Sequence, residues 1–418
     1  MVNRLYLLIG ISIASLLVDV YLSNAVRTLR PSWSGRYRTL FTAAWWGTSA
    51  ALVIAVGVAF FMNLRLGARS ISLVAFFITF VAKIALTIFV LLDDIRRAVI
   101  YLKRNRSLKK EKESATALPG EKIPRSKFLL QAGVLAAGVP FASLGYGVIS
   151  GVYDYRVRRK TLVLPNLPQE FDGIRLGQIS DIHSGSFYNR KAVLGGVEML
   201  LAEKPDLVFF TGDLVNFVAR EMRDYQDIFT KVKAPLGVFS TLGNHDYGDY
   251  HYGFGPTPDK AQNLRDLKTT HKNMGWQLLM NEHRRLKVDG REIGILGVEN
   301  WSANGFVRHG RMDLATKHTG DLPVKLLLSH DPSHWRAQVL EQYPDIDVMF
   351  SGHTHGMQLG VRTEHFQWSP VKYIYNEWAG LYRERHQQLY VNVGYGFLGY
   401  PGRVGILPEI TIFELKRS

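Results

Sequence analysis

The 418-residue chain has no cysteine, which removes disulfides, thiolate metal sites and cysteine nucleophiles. Histidine is absent before residue 183, so the chemistry of all 13 imidazoles belongs to the C-terminal part. Acidic residues are scarce early on. Residues 1–150 hold 6 Asp+Glu against 19 Lys+Arg, so the net charge of +15 divides into +13 there and +2 over residues 151–418. With 47% hydrophobic and 21% charged residues, full-length disorder is excluded. The basic excess surrounds apolar segments, so no nucleic-acid partner is expected despite the high pI.

Four stretches are apolar over about 20 residues, the length a helix needs to cross a bilayer. They are residues 5–23, 40–62, 71–92 and 128–149, the last rich in Gly and Ala. Loop charge orients them. Arg27, Arg30, Arg36 and Arg38 lie between the first two spans, only Arg65 and Arg69 between the next two, and residues 93–127 carry eleven Lys/Arg. Basic loops stay cytoplasmic. Residues 1–150 are therefore expected to form a transmembrane region with a basic cytoplasmic linker at 93–127. Residues 151–418 would be the catalytic domain of a multi-pass cell membrane protein, outside the cytoplasm. Arg156, Arg158, Arg159 and Lys160 oppose this orientation but are outnumbered. Asp19 and Lys83 fall inside spans at similar depth, where an unpaired charge is costly, so they are expected to pair.

From residue 160 the pattern changes to short apolar runs that each end in polar residues. Ile174–Ile179 leads into Asp181 and His183, Leu207–Phe210 into Gly212-Asp213, and Val238–Leu242 into Gly243-Asn244-His245-Asp246. Lys325–Leu328 leads into Ser329-His330, and Val348–Phe350 into Gly352-His353-Thr354-His355. Such runs are too short for helices and read as buried strands. Helix-like stretches such as 191–203 lie between the early ones, which implies an α/β fold with functional groups at strand ends. Further strand candidates are 292–298, 388–393 and 409–415.

Asp and His together offer hard oxygen and borderline nitrogen donors, suited to Mn, Fe or Zn. Asp181 and His183 are two residues apart, as are His353 and His355, a spacing that puts both side chains on one side of an extended strand end. Two divalent ions roughly 4 Å apart can clamp a phosphoryl group and generate hydroxide near neutral pH. A single His at a strand end is usually structural, but five such segments in order are hard to assign to packing.

These motifs resemble those of calcineurin-like metallophosphoesterases, specifically the membrane-anchored bacterial type with N-terminal transmembrane helices. The resemblance covers about residues 170–415. It implies an α/β architecture in which the four-helix transmembrane region is followed by a four-layer αββα domain. It also implies that Asp181, His183 and His355 hold one metal, that Asp213 bridges, and that Asn244, His330 and His353 complete the second. His245 would stabilise developing charge or protonate the leaving oxygen, with Asp246 orienting its ring. His334 and Arg403 are candidate phosphate contacts.

The motif departs from many relatives at Met357, where a second glycine would leave the backbone bare. Aromatic residues crowd 246–258 and 366–400, either at the cleft rim, at a membrane interface or in the core. The expected function is a membrane-anchored two-metal phosphohydrolase that cleaves phosphomono- or phosphodiesters by metal-activated hydroxide, on a substrate that is lipid-linked or belongs to the cell envelope. The alternatives are a cytoplasm-facing pyrophosphatase of a nucleotide-linked lipid precursor and a metal-binding membrane scaffold or sensor without turnover.

Overall fold

The computed structural model describes residues 2–27, 34–61, 66–111 and 124–418. It divides into two compact units, Met1–Gly145 and Tyr146–Ser418. The first contains α1 (Val2–Arg27), α2 (Gly35–Phe61) and α3 (Leu66–Glu111), and most of α4 (Lys127–Ile149). All four are long and apolar enough to cross a membrane. Lys83 on α3 meets Asp19 on α1 at 2.8 Å and Ser49 on α2 at 3.3 Å. The two intramembrane charges thus neutralise each other, as expected from the cost of leaving either alone.

The basic linker differs from its expected form. The α3 helix does not stop at the end of the apolar run but continues to Glu111. Its polar extension is rich in Arg and Lys, both good helix formers. Asp93 and Asp94 pair with Arg96 and Arg97 one turn on, and both also bind Arg125. The rest of the linker, residues 112–123, lies outside the described residues.

In the second unit fourteen strands form two six-stranded sheets and a short hairpin. The first sheet has β1 (Arg156–Leu164), β2 (Arg175–Ile179), β3 (Leu207–Phe210), β4 (Val238–Ser240) and β5 (Gln277–Leu278). The second has β6 (Glu282–Val288), β7 (Arg291–Gly297), β8 (Lys325–Leu328) and β9 (Val348–Ser351). After the hairpin β10 (Val361–Arg362) and β11 (Gln367–Trp368), the chain adds β12 (Gly380–Glu384) and β13 (Gln387–Val391) to the second sheet. It then returns to the first as β14 (Glu409–Arg417). The orders are β1-β14-β2-β3-β4-β5 and β12-β13-β9-β8-β7-β6. Strands β2 to β5 run parallel in one, and β13, β9, β8 and β7 in the other.

Alternation along the strands builds the layers. On β3, Leu207 and Phe209 face the cluster between the sheets, with Ile295, Leu326, Val348 and Phe350 opposite. Val208 and Phe210 face outward to Val193, Val197 and Leu200 of the helix Arg190–Ala202. On the far side Leu327 and Met349 meet Trp335 and Val339. The result is helix, sheet, sheet, helix. Six strands, β1, β5, β6, β10, β11 and β12, escape the apolar-run pattern. Strands β1 and β6 are full of charge because each is a sheet edge, where charged side chains reach water and block further pairing.

Candidate metal centre

The parallel strands end on the same side, and their polar successors converge there. Asp181 and His183 follow β2, Asp213 follows β3, Asn244 and His245 follow β4, His330 follows β8, and His353 and His355 follow β9. Two clusters result, Asp181–His183–His355 and Asp213–His330–His353. They share an edge at Asp213, whose Oδ2 lies 3.5 Å from His183 Nε2 and 3.1 Å from His330 Nε2. In the first cluster His355 Nε2 is 3.3 Å from Asp181 Oδ1. In the second, His353 Nδ1 is 3.2 Å from His330 Nε2.

The loops bend unusually to achieve this. Asp181 (φ 50°), His183 (47°), Asp213 (60°), His353 (73°) and His355 (49°) all hold left-handed backbone. Each costs about 1–3 kcal/mol in a non-glycine residue and persists only where the surroundings enforce it. Two glycines make the crowding feasible. A Cβ on Gly352 would sit 2.1 Å from Asp181 Oδ2, and one on Gly243 would sit 2.2 Å from Asp213 Oδ1.

The unused atoms fit divalent cations. Both ring nitrogens of His183, Nε2 of His355 and Oδ1 of Asn244 are buried without a hydrogen-bond partner, a cost that metal ligation would remove at one nitrogen of His183, at His355 and at Asn244. The opposite ends of several ligands are tied down, as oriented metal ligands require. His330 Nδ1 bonds to the Thr211 carbonyl at 2.8 Å, and Asn244 Nδ2 donates to Tyr250 Oη at 3.0 Å. His353 Nε2 reaches Tyr375 Oη at 2.8 Å. Tyr250 and Tyr375 were not singled out from the sequence, although both belong to its aromatic stretches. Period and motif do not tell which ring of a tyrosine-rich loop turns inward.

Charge in the cluster is strongly coupled. Burial alone would raise both Asp181 and Asp213, but the surrounding imidazoles outweigh it and hold both carboxyls well below their usual range. Burial opposes a charged His330 too, yet Asp213 beside it pushes that imidazole up to about 10. His183, with weaker compensation, is driven well below its ordinary value by burial.

His245 sits at the edge of the cluster. Its Nδ1 is 2.7 Å from the Asn216 carbonyl oxygen, its ring centroid is 4.9 Å from that of His183, and Tyr250 lies against its other side at 4.4 Å. The expectation that Asp246 orients this ring is corrected. The Asp246 carboxylate instead accepts from the backbone N–H groups of Asp213, Leu214, Val215 and Gly243. A fully buried carboxylate is satisfied more completely by four N–H donors than by one imidazole. Burial and neighbouring Asp213 push Asp246 up to about 7. Its contacts clamp the loop that carries Asp213.

The two candidate phosphate contacts are corrected as well. His334 is fully buried, stacked on Trp301, with its ring nitrogens bonded to Ser329 Oγ and Gln338 Oε1, both at 2.8 Å. Arg403 is also buried. Its guanidinium donates to the carbonyls of Val393, Gly396 and Ile406, and its Nη2 lies 3.2 Å from His355 Nδ1. Desolvating so large a cation demands acceptors on every side, and the backbone supplies them. Arg403 braces a ligand histidine and does not face the cleft.

The comparisons agree with this architecture. The family model described as "Calcineurin-like phosphoesterase" matches residues 174–357, and "Probable Calcineurin-like phosphoesterase, transmembrane domain" matches residues 3–152. A "Transmembrane protein with metallophosphoesterase domain" from Danio rerio is 29% identical over 295 residues, which cover 68% of this chain and 63% of that protein. The uncharacterized metallophosphoesterase YkuE of Bacillus subtilis is 28% identical over 304 residues, 71% of this chain and 99% of its own length. Phosphodiesterase YaeI of Escherichia coli is 27% identical over 243 residues, 57% of this chain and 80% of that protein. With matching models over residues 3–152 and 174–357, the chain is similar to calcineurin-like phosphoesterases that carry an N-terminal transmembrane domain.

Proposed function

We propose that the chain is a membrane-anchored phosphohydrolase that uses two divalent cations, Mn, Fe or Zn, to cleave phosphomono- or phosphodiesters. One observation carries the proposal: Asp213 Oδ2 stands between two ligand clusters, 3.5 Å from His183 and 3.1 Å from His330. Asp181, His183 and His355 would hold one cation, Asn244, His330 and His353 the other, with Asp213 shared. When bound, such cations supply Lewis acidity and make water acidic enough to ionise near neutral pH.

The chain's own groups account for the remaining chemistry. His245 is fixed through Nδ1 on the Asn216 carbonyl, so Nε2 is the atom that holds or gives up a proton at the leaving oxygen. Asp246 keeps the Asp213 loop against Gly243. Tyr250 and Tyr375 hold Asn244 and His353 in rotamers that turn Asn244 Oδ1 and His353 Nδ1 toward the cluster. The name of the Escherichia coli relative supports diesters as one substrate class.

The full-length protein, purified in detergent, should hydrolyse p-nitrophenyl mono- or diesters with added Mn²⁺ and stop when chelator is added. Metal analysis should find two ions per chain. No turnover with any of the three metals would overturn the proposal in favour of a scaffold. Loop charge supports an extracytoplasmic domain. A fluorescent reporter fused after Ser418 that matures only in the cytoplasm would overturn that orientation.

A further inference from the structure

The aromatic and apolar side chains that follow the second His motif are not absorbed by the core. Met357, Leu359, Val361, Phe366, Tyr373 and Ile374 are all exposed, Tyr373 by 75% and Ile374 by 58%. Among the described residues of the second unit these are six of 15 exposed large apolar side chains, gathered into 18 positions. The strands β10 and β11 and the bond from Ser369 Oγ to the Gly356 carbonyl fold the segment back on itself. Metal-centre groups bracket it. His355 lies just before it, and Tyr375, which holds His353, just after.

Backbone and side-chain bonds tie this segment to residues 398–404. Leu359 pairs with Val404, and Val404 exchanges backbone bonds with Gln358 and Gly360. The side chain of Gln358 bonds to the backbone of Leu398, Tyr400 and Gly402. Arg403 N in turn donates to the carbonyl of Gly147 in the last turn of α4, and a Cβ on Gly147 would meet Val404 at 2.7 Å. That turn ends a candidate membrane span and exposes Ile149 by 85%. Exposed apolar side chains tied through Val404 and Arg403 to the end of a candidate span suit the level where hydrocarbon and headgroups begin, as does Tyr373 with Lys372 beside it.

We infer that residues 357–374 dock into the bilayer surface beside the fourth span, and that the phosphoester cleaved at the metal centre belongs to a membrane lipid. The inference rests on the phosphohydrolase reading and names its substrate class. Hydrolysis would add water across one P–O ester bond, hydroxyl to phosphorus and proton to the departing oxygen. The lipid would stay anchored by its acyl chains while its headgroup entered the cleft between Tyr250 and Tyr375.

Because the chain has no cysteine, Ile374→Cys gives a single nitroxide site in the full-length protein. In phosphatidylcholine nanodiscs this label should be accessible to oxygen and shielded from a nickel chelate. A label at Leu314→Cys, exposed but outside the segment, should behave as in water. The triple variant Phe366→Ser, Tyr373→Ser, Ile374→Ser should keep its turnover of bis(p-nitrophenyl) phosphate. Against phosphatidic acid or phosphatidylglycerol in the disc it should lose about tenfold or more, either in turnover or in competition with the soluble diester. Equal accessibility at positions 374 and 314, or lipids that neither react nor compete with the wild type, overturns the inference while soluble-diester turnover leaves the phosphohydrolase reading intact. Loss of soluble-diester turnover in the wild type would instead count against that reading.

Discussion

His245 and Asp246 are adjacent in sequence yet do separate jobs. The imidazole is held by the Asn216 carbonyl, and the carboxylate is spent on four backbone N–H groups. His245→Ala should therefore keep both metal ions while kcat falls about 10²–10⁴-fold, the range a positioned general acid contributes. Metal analysis beside steady-state kinetics checks this, and loss of an ion would show that His245 is a ligand. The residue types of the candidate ligands were legible in the sequence, but the two-residue step did not give their grouping: His353 and His355 fall in different clusters, and these residues hold left-handed rather than extended backbone. The partners of Asp246, His334 and Arg403 were not legible either, because a motif names a residue type and not which buried donors or acceptors surround it.

His271 gives a test of stability at the same scale. It is fully buried, with Nδ1 3.0 Å from Ser240 Oγ and Nε2 unpartnered, and burial drives it from 6.5 down to about 3. Between those values the unfolded chain binds a proton that the folded chain refuses. Stability is therefore fully present above pH 6.5 and declines by about 1.4 kcal/mol per pH unit as pH falls toward 3. Denaturant unfolding across that window should show a shallower slope in His271→Leu. An unchanged slope would assign the acid sensitivity elsewhere.

At the level of elements, the parallel strands act as rails that deliver ligands to one edge. Gly352 follows β9 directly, and any Cβ there would lie 2.0 Å from Ser180 Oγ and 2.1 Å from Asp181 Oδ2. Gly352→Ala must displace the side chains of Ser180 and Asp181 at the site. It should cost several-fold or more in metal affinity, measured by isothermal titration, even where the domain still folds. An affinity within twofold of wild type would mean that the loop yields freely. The core strands were legible as apolar runs because both faces are buried. Strands β1 and β6 were not, since a charged edge strand reads like a loop until its partner is known.

Across the whole molecule, the membrane helices carry a buried ion pair between Asp19 and Lys83. Asp19→Leu leaves an unpaired ammonium among helices and should destabilise the detergent-solubilised protein by about 3 kcal/mol or more, whereas Asp19→Leu with Lys83→Met should recover most of that loss. Thermal unfolding of the single and double variants decides it. No recovery in the double variant would mean that the two residues act independently.

The order of apolar spans, the α/β class and the residue types of the candidate ligands were set by composition, apolar run length and side-chain chemistry, which are local properties of a chain. Tertiary structure alone decided which carboxylate clamps a loop, which tyrosines turn inward, and which apolar side chains stay uncovered beside the metal centre. Those outcomes depend on groups far apart in sequence competing for the same buried donors, acceptors and space.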